Sequence, residues 1–269
     1  MQLFELSKII RIRILEICHL SNSPHLGSSL SIVELITALM FNLMKNFTVE
    51  EYSDRSDQFI LSKGHASLAL YATLEIKGFL KSGDFEKYAK SGSILEEHPN
   101  FKIPTVLTST GSLGHGLAFA NGLALANNLK GLNSRIFVLL SDGECNEGTV
   151  WESALLASTK NLHRVVAIID HNKLQATGPI NETFGTLKIS SMFRAFGWEV
   201  FEIDGHNFNE ILTTLTNENS LKPTALICHT IKGKGVSFME GDNNWHYRAP
   251  NIDELNEAIA EVKKDIFQL

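Results

Sequence analysis

The stretch from Arg135 to Gly178, RIFVLLSDGECNEGTVWESALLASTKNLHRVVAIIDHNKLQATG, sets the tightest limit on how this chain can fold. An apolar, β-rich run ends in Ser141-Asp142-Gly143, a helical segment follows, and a second apolar run ends in Asp170-His171-Asn172-Lys173-Leu174. Continuous apolar strands of this kind belong inside a parallel sheet covered on both faces. Parallel strands finish on one edge, which is where ligands bind. Asp142 and Asn172, far apart in sequence, can therefore meet there around one ion.

Asp142, Asn172 and the carbonyl of Leu174 suit magnesium, which takes a compact shell of oxygens and usually shares it with substrate phosphates and water. One carboxylate beside two neutral oxygens leaves most of the ion's charge free to hold a diphosphate. Gly143 lets backbone N–H groups approach such an anion closely. Asp and Asn are also ordinary turn residues. Their placement in consecutive βα units is what sharpens the metal reading.

The rest of the chain supports an α/β domain. Leu3, Leu6, Ile10, Ile14 and Ile17 mark one face of an opening helix, and residues 32–44 read as a second, capped by Ser31 with Glu34 at the capping-box position. Gln58–Ser62 is a strand candidate leading into Gly64-His65, followed by a helix over 66–77. Residues 80–110 read as irregular, and 113–129 as a helix rich in small residues. Strands are expected at 136–140, 165–169, 198–203 and 224–229, with helices near 149–160, 189–196 and 207–217. Residues 231–250 form a glycine-bearing loop before a last helix over 253–266. Alternating strands and helices imply a parallel sheet with helices on both faces.

Composition excludes several classes. Net charge is −6, with 24 Lys+Arg against 30 Asp+Glu, which does not fit a nucleic-acid binder. Cys18, Cys145 and Cys228 show no CxxC spacing, so neither a disulfide framework nor structural zinc is expected. No run approaches a membrane span and no cleavable leader is visible, so a cytoplasmic protein is expected.

Further motifs fix the comparison. SDGECNEG…DHNKL resembles the thiamine-diphosphate motif, GDG with a later asparagine. SPHLGSSLS is similar to the GHPGGSLS of the transketolase family, DQFILSKGHASLALY to its RFxLSxGHAS, and EEHPN…TSTGSLGHGLAFANGLALA to its GHPE…TTGPLGQGxxxAxGxA. TIKGKGVSFME…WHYRAP resembles the closing loop of split transketolases and of deoxyxylulose-phosphate synthases. These matches run in family order along nearly the whole chain.

The resemblance implies a thiamine-diphosphate-binding fold, a doubly wound and mostly parallel sheet, with residues 1–269 forming one diphosphate-binding domain. It implies thiamine diphosphate and Mg2+ as cofactors, with Ca2+ or Mn2+ able to replace the metal. Asp142, Asn172 and the Leu174 carbonyl would bind the metal, and Gly143 would support the diphosphate. His65 and His246 would lie near the cofactor, Gly111-Ser112-Leu113 beside it, and Glu147 and Glu152 in an interface network joining paired sites. His25, His98 and His246 would contact donor hydroxyls and move protons, a task suited to groups that titrate near neutrality. His19, His163, His171, His206 and His229 have no matching context, and the role of His115 is open. Lys232 and Lys234 are candidates for an anion contact.

The pyrimidine and C-terminal domains are expected on a partner chain, in an α2β2 heterotetramer that acts on sugars or sugar phosphates, while this chain alone is inactive. The expected activity is two-carbon ketol transfer. The alternatives are a decarboxylating carboligase of the deoxyxylulose-phosphate synthase kind and a non-catalytic binding half. Pro24, Leu26, Ser28, Ser112 and Tyr247 depart from the family pattern, which points to donors or acceptors unlike ordinary pentose phosphates.

Overall fold

The computed structural model describes residues 2–81, 83–183, 188–217 and 220–264. Five strands form one sheet: β1 (Gln58–Leu61), β2 (Ile136–Ser141), β3 (Val165–His171), β4 (Glu199–Asp204) and β5 (Thr224–His229). Their order is β1-β2-β3-β5-β4, and every pairing is parallel. Because side chains alternate along a strand, each strand feeds two cores. Phe137, Leu139, Val166, Ile168, Leu226 and Cys228 enter one, while Ile136, Val138, Leu140, Ala167, Ile169 and Ile227 enter the other.

The helices cover these two faces. On the first lie α1 (Leu3–Ser21), α2 (Leu26–Leu30), α3 (Val33–Ala38), α4 (Ser67–Ile76), α9 (Phe208–Thr216) and α10 (Ile252–Lys264), and on the second α5 (Gly116–Lys130), α6 (Gly148–Thr159) and α8 (Ile189–Ala195). A single turn, α7 (Ile180–Thr183), follows the β3 loop. The apolar stripe of α1 buries Leu6, Ile10, Ile14 and Ile17, and the helix stops where Asn22 turns left-handed at φ 50°. Among the described residues no helix is long and apolar enough to cross a membrane. The expected end of the last helix at Ile266 lies outside the described residues.

Two local expectations are corrected. The second helix is not continuous over 32–44: α3 ends at Ala38 and passes into a π-helical turn, Leu39–Leu43. Nor do Ser31 and Glu34 form a capping box, since Ile32 holds the cap position without a side-chain bond. The Ser31 hydroxyl donates to the Ser28 carbonyl at 3.0 Å and to Asp170 Oδ2 at 2.7 Å. Glu34 accepts from Arg11 and His206 instead. Long-range partners have taken both side chains from the local motif.

The register matters for the site. Ser141 pairs with Asp170, and the Asp142 N–H donates to the Asp170 carbonyl at 3.1 Å. The segments after β1, β2, β3 and β5 therefore meet at one sheet edge.

Candidate active site

A cleft of about 510 Å³ opens at that edge. Its walls bring together His25, His65, His98, His246, Gly111, Leu113, Asp142, Gly143, Glu147, Asn172 and Leu174. Of the cofactor, metal and catalytic positions expected from sequence, Ser112 alone is missing. The loop alternates, with Gly111 and Leu113 turned to the cleft and Ser112 exposed between them. Glu152 is also exposed, on α6.

Backbone donors set the strand-end oxygens. Asp142 Oδ1 accepts the Gly143 N–H at 2.7 Å, and Oδ2 accepts the Lys173 N–H at 2.6 Å. Both oxygens keep lone pairs after these bonds. Asn172 donates its amide to Asp170 Oδ2 at 2.8 Å, while its own oxygen accepts the Leu174 N–H at 3.0 Å. Lys173, left-handed at φ 66°, makes the turn between them. Among the described residues no group of three or more His, Cys, Asp or Glu side chains is placed to hold a metal. A set with a single carboxylate, an amide oxygen and a carbonyl is not of that kind, and it fits a hard cation shared with phosphate oxygens.

Beneath these residues lies a buried ion pair whose members nothing in the sequence singles out. Lys63 Nζ sits 2.5 Å from Asp170 Oδ2 and 3.1 Å from the Ser28 carbonyl, and both charged side chains are fully buried. Asp170 also accepts from Ser31, Asn172 and Thr230. Burial opposes its ionisation most strongly, but Lys63 and these hydroxyl donors outweigh it and hold the carboxyl below its ordinary range. Asp170 is thus the hub that orients Asn172. Glu144 is a third residue that nothing in the sequence marks. It accepts the Gly114 N–H at 2.8 Å, the Ser141 N–H at 3.3 Å and the Ser62 hydroxyl, so it ties the two cleft loops together, and burial pushes its pKa up. The sole clues are positional: Lys63 lies inside SKGH, and Asp170 closes an apolar strand.

Lys232 is buried, held at 2.8 Å from Asn243 Oδ1, and its pKa is lowered to about 8 by burial and then by Lys63. Lys234 pairs with Glu240 at 3.2 Å. The charges of Lys63 and Lys232 act on His25 and His246 in the cleft, with Asp170 offsetting that of Lys63.

Four imidazoles form one cluster. The His25 ring centroid lies 5.4 Å from that of His65, 6.3 Å from His98 and 4.8 Å from His246. His25 is left-handed at φ 71°, a strain of about 1–3 kcal/mol for a residue with a Cβ. A 2.8 Å bond from its N–H to the His246 carbonyl holds it there. Gly111, at φ +137°, makes room for His98, since a Cβ there would lie 2.9 Å from the ring. Nδ1 of His25 and Nδ1 of His246 are buried with no hydrogen-bond partner among the described residues, a pattern that calls for a ligand or water.

Burial, then the charges of His98, Lys232 and Lys63, lowers the His25 pKa to about 4. Burial, then Lys232, His25 and Lys63, lowers that of His246 to about 3. Burial and then Lys63 hold His65 well below its ordinary value. All three are neutral at pH 7, and His25 and His246 are weaker bases here than the near-neutral groups expected from sequence. Because these folded-state values lie below the unfolded one, the unfolded chain binds more protons across the interval. Their contribution is full above pH 6.5 and is lost as pH falls toward 4. The melting temperature of the protein without cofactor is expected to fall over that range, and a His25→Gln/His246→Gln double variant to show a flatter slope.

The sequence matches the family described as "Transketolase, thiamine diphosphate binding domain" over residues 4–265. The chain belongs to the transketolase family. It is 38% identical over 261 residues to one subunit of the apulose-4-phosphate transketolase of Phocaeicola vulgatus, covering 96% of this chain and 93% of that one. It is 36% identical over 244 residues to the SqwG subunit of the 6-deoxy-6-sulfo-D-fructose transketolase of Clostridium sp., covering 90% and 89%. Among solved structures, the transketolase of Campylobacter jejuni superposes with a TM-score of 0.90 at 28% identity, over 97% of this chain but 42% of that longer one. The cleft of this transketolase-family domain therefore lies in the part of the family that binds thiamine diphosphate.

Proposed function

We propose that this chain is the diphosphate-binding subunit of a transketolase divided between two chains, transferring a two-carbon ketol unit from a ketose or ketose phosphate to an aldose. The observation that carries the reading is the joining of a neutral histidine cluster to the Asp142–Asn172 strand ends in one cleft. Its match to relatives named as single subunits of transketolases, over most of their length, supports the divided arrangement.

Asp142, Asn172 and the Leu174 carbonyl would hold Mg2+, and Lys63 and Lys232 would favour the diphosphate. Thiamine diphosphate, when bound, supplies the electron sink for breaking a carbon–carbon bond beside a ketone. His25, with Nδ1 unpartnered, can take the proton lost from the donor's C3 hydroxyl, together with His98, and return one to the acceptor's carbonyl oxygen. His65 and His246 line the cleft with them and would orient donor and cofactor. The glutamate that activates the cofactor's pyrimidine would come from the partner chain, in an α2β2 cytoplasmic assembly with Glu147 and Glu152 at the contact.

The relatives named for apulose phosphate and sulfofructose point to a modified sugar. Tyr247, 63% exposed and with its ring 4.7 Å from that of His246, stands where it can shape the acceptor's approach. Product analysis with ketose and with pyruvate donors, in the presence and absence of a candidate partner chain, tests the reading. Ketol transfer only by the mixture is expected. Carbon dioxide release from pyruvate would transfer the assignment to a carboligase, and turnover by this chain alone would refute the divided site.

A further inference from the structure

The loop after β5 brings His246 to the cleft wall and buries Lys232 close enough for its charge to act on His25 and His246, so something must fix where that loop starts. Its first residue, Thr230, donates its N–H to the His171 carbonyl at 3.4 Å, and the next N–H, that of Ile231, donates to Nε2 of His206 at 2.8 Å. Because Nε2 accepts, the ring proton sits on Nδ1, which donates to Glu34 Oε2 at 2.9 Å. The other Glu34 oxygen receives Arg11, whose Nε in turn donates to the Lys234 carbonyl at 3.0 Å. Arg11, Glu34 and His206 thus form a closed bracket, from α1 and α3 to the turn after β4, that grips the loop on both sides of Lys232.

Sequence features left without a role fall into place here. His206 belongs to the turn Asp204-Gly205-His206, and Gly235 closes IKGKG. Gly235 has φ +94°, and a Cβ there would lie 2.6 Å from Arg11 Nε, so only glycine lets the guanidinium reach the Lys234 carbonyl. The bracket is well shielded, with side-chain exposures of 7% for Arg11, 9% for Glu34 and 12% for His206. Burial opposes the Glu34 charge, but Arg11 and then His206 lower its pKa to about 2, so the bracket is held by an ionised carboxylate. Arg11 and His206 are the charged and titratable partners on Glu34, and Lys8 and Lys234 are the other cations lining the small cavity beside them.

We propose that His206 is a positioning residue for the cofactor cleft: through the Arg11–Glu34–His206 bracket it fixes the start of the 231–247 loop, and with it Lys232 and His246. The consequence for the cofactor rests on the function proposed above, whereas the effect on the loop does not.

Three variants separate this role from a merely structural one. His206→Gln places an amide oxygen at the level of Nε2 and keeps the Ile231 bond. His206→Asn places its amide at the level of Nδ1 and keeps only Glu34, and His206→Ala keeps neither. Hydrogen exchange over residues 231–247 is followed in the full chain without cofactor, and Mg2+-dependent binding of thiamine diphosphate is then titrated into the complex with the candidate partner chain. Loss of one backbone hydrogen bond corresponds to roughly a 3–10-fold effect. Exchange in the loop is expected to rise by that factor in the Asn and Ala variants and to stay near wild type in the Gln variant, with cofactor affinity in the same order. Loop exchange unchanged in the Ala variant, or a better-protected loop in the Asn than in the Gln variant, would overturn the proposal. So would loosening of the loop with unchanged cofactor affinity. If even the wild-type complex with its partner chain binds no cofactor, the proposed function fails while the exchange data still decide the bracket.

Discussion

Lys63→Met is expected to destabilise the protein by about 3–5 kcal/mol, the usual cost of stripping one partner from a buried ion pair. Lys63 and Asp170 are both fully buried, and no solvent can compensate the charge left on Asp170. At roughly 2–4 °C per kcal/mol for a chain of this size, the melting temperature should fall by about 10 °C. Much of this loss comes from the stranded carboxylate, so a Lys63→Met/Asp170→Asn double variant should be more stable than Lys63→Met alone. Thermal melts of the four proteins in this cycle check the claim, and simple additivity would show that the two residues do not act as a pair. The double variant should still bind cofactor poorly, because Asp170 also orients Asn172.

How much of this is legible in the sequence depends on the range of the interaction. The parallel sheet is readable because β2 and β3 are unbroken apolar runs, and a strand buried on both faces must look that way. Asp142 and Asn172 are readable for the same reason: topology alone carries residues just past two parallel strands to one edge. The histidine cluster is found through resemblance, since nothing local distinguishes His25 or His98 from a solvent-facing histidine. The Lys63–Asp170 pair is invisible because its members lie 107 positions apart and a buried charge looks like a surface charge until its partner is placed. Ser31 and Glu34 mislead for a related reason. Their spacing satisfies a capping box worth about 1 kcal/mol, but tertiary partners, Asp170 for one and Arg11 with His206 for the other, claim the side chains. Ser112 matches a motif position yet faces outward, at a bend between Gly111 and the turn at Leu113-Gly114 that the motif alone does not reveal.

Asp142→Ala is expected to have the largest functional effect. It removes the single carboxylate from the oxygen set of Asp142, Asn172 and Leu174, and with it the acceptor for the Gly143 and Lys173 N–H groups that shape the turn. A hard dication held by one carboxylate and neutral oxygens keeps little affinity when the carboxylate is gone. The fold should survive, since the loss falls on a turn at the sheet edge outside both hydrophobic cores. The decisive measurement is a calorimetric titration of thiamine diphosphate into the wild-type and Asp142→Ala chains, each assembled with the candidate partner chain, with and without Mg2+. The expected result is binding by the wild type only when Mg2+ is present and none by the variant under either condition. Binding that is independent of Mg2+, or that persists unchanged in Asp142→Ala, would contradict the assignment of this cleft as a metal-anchored diphosphate site.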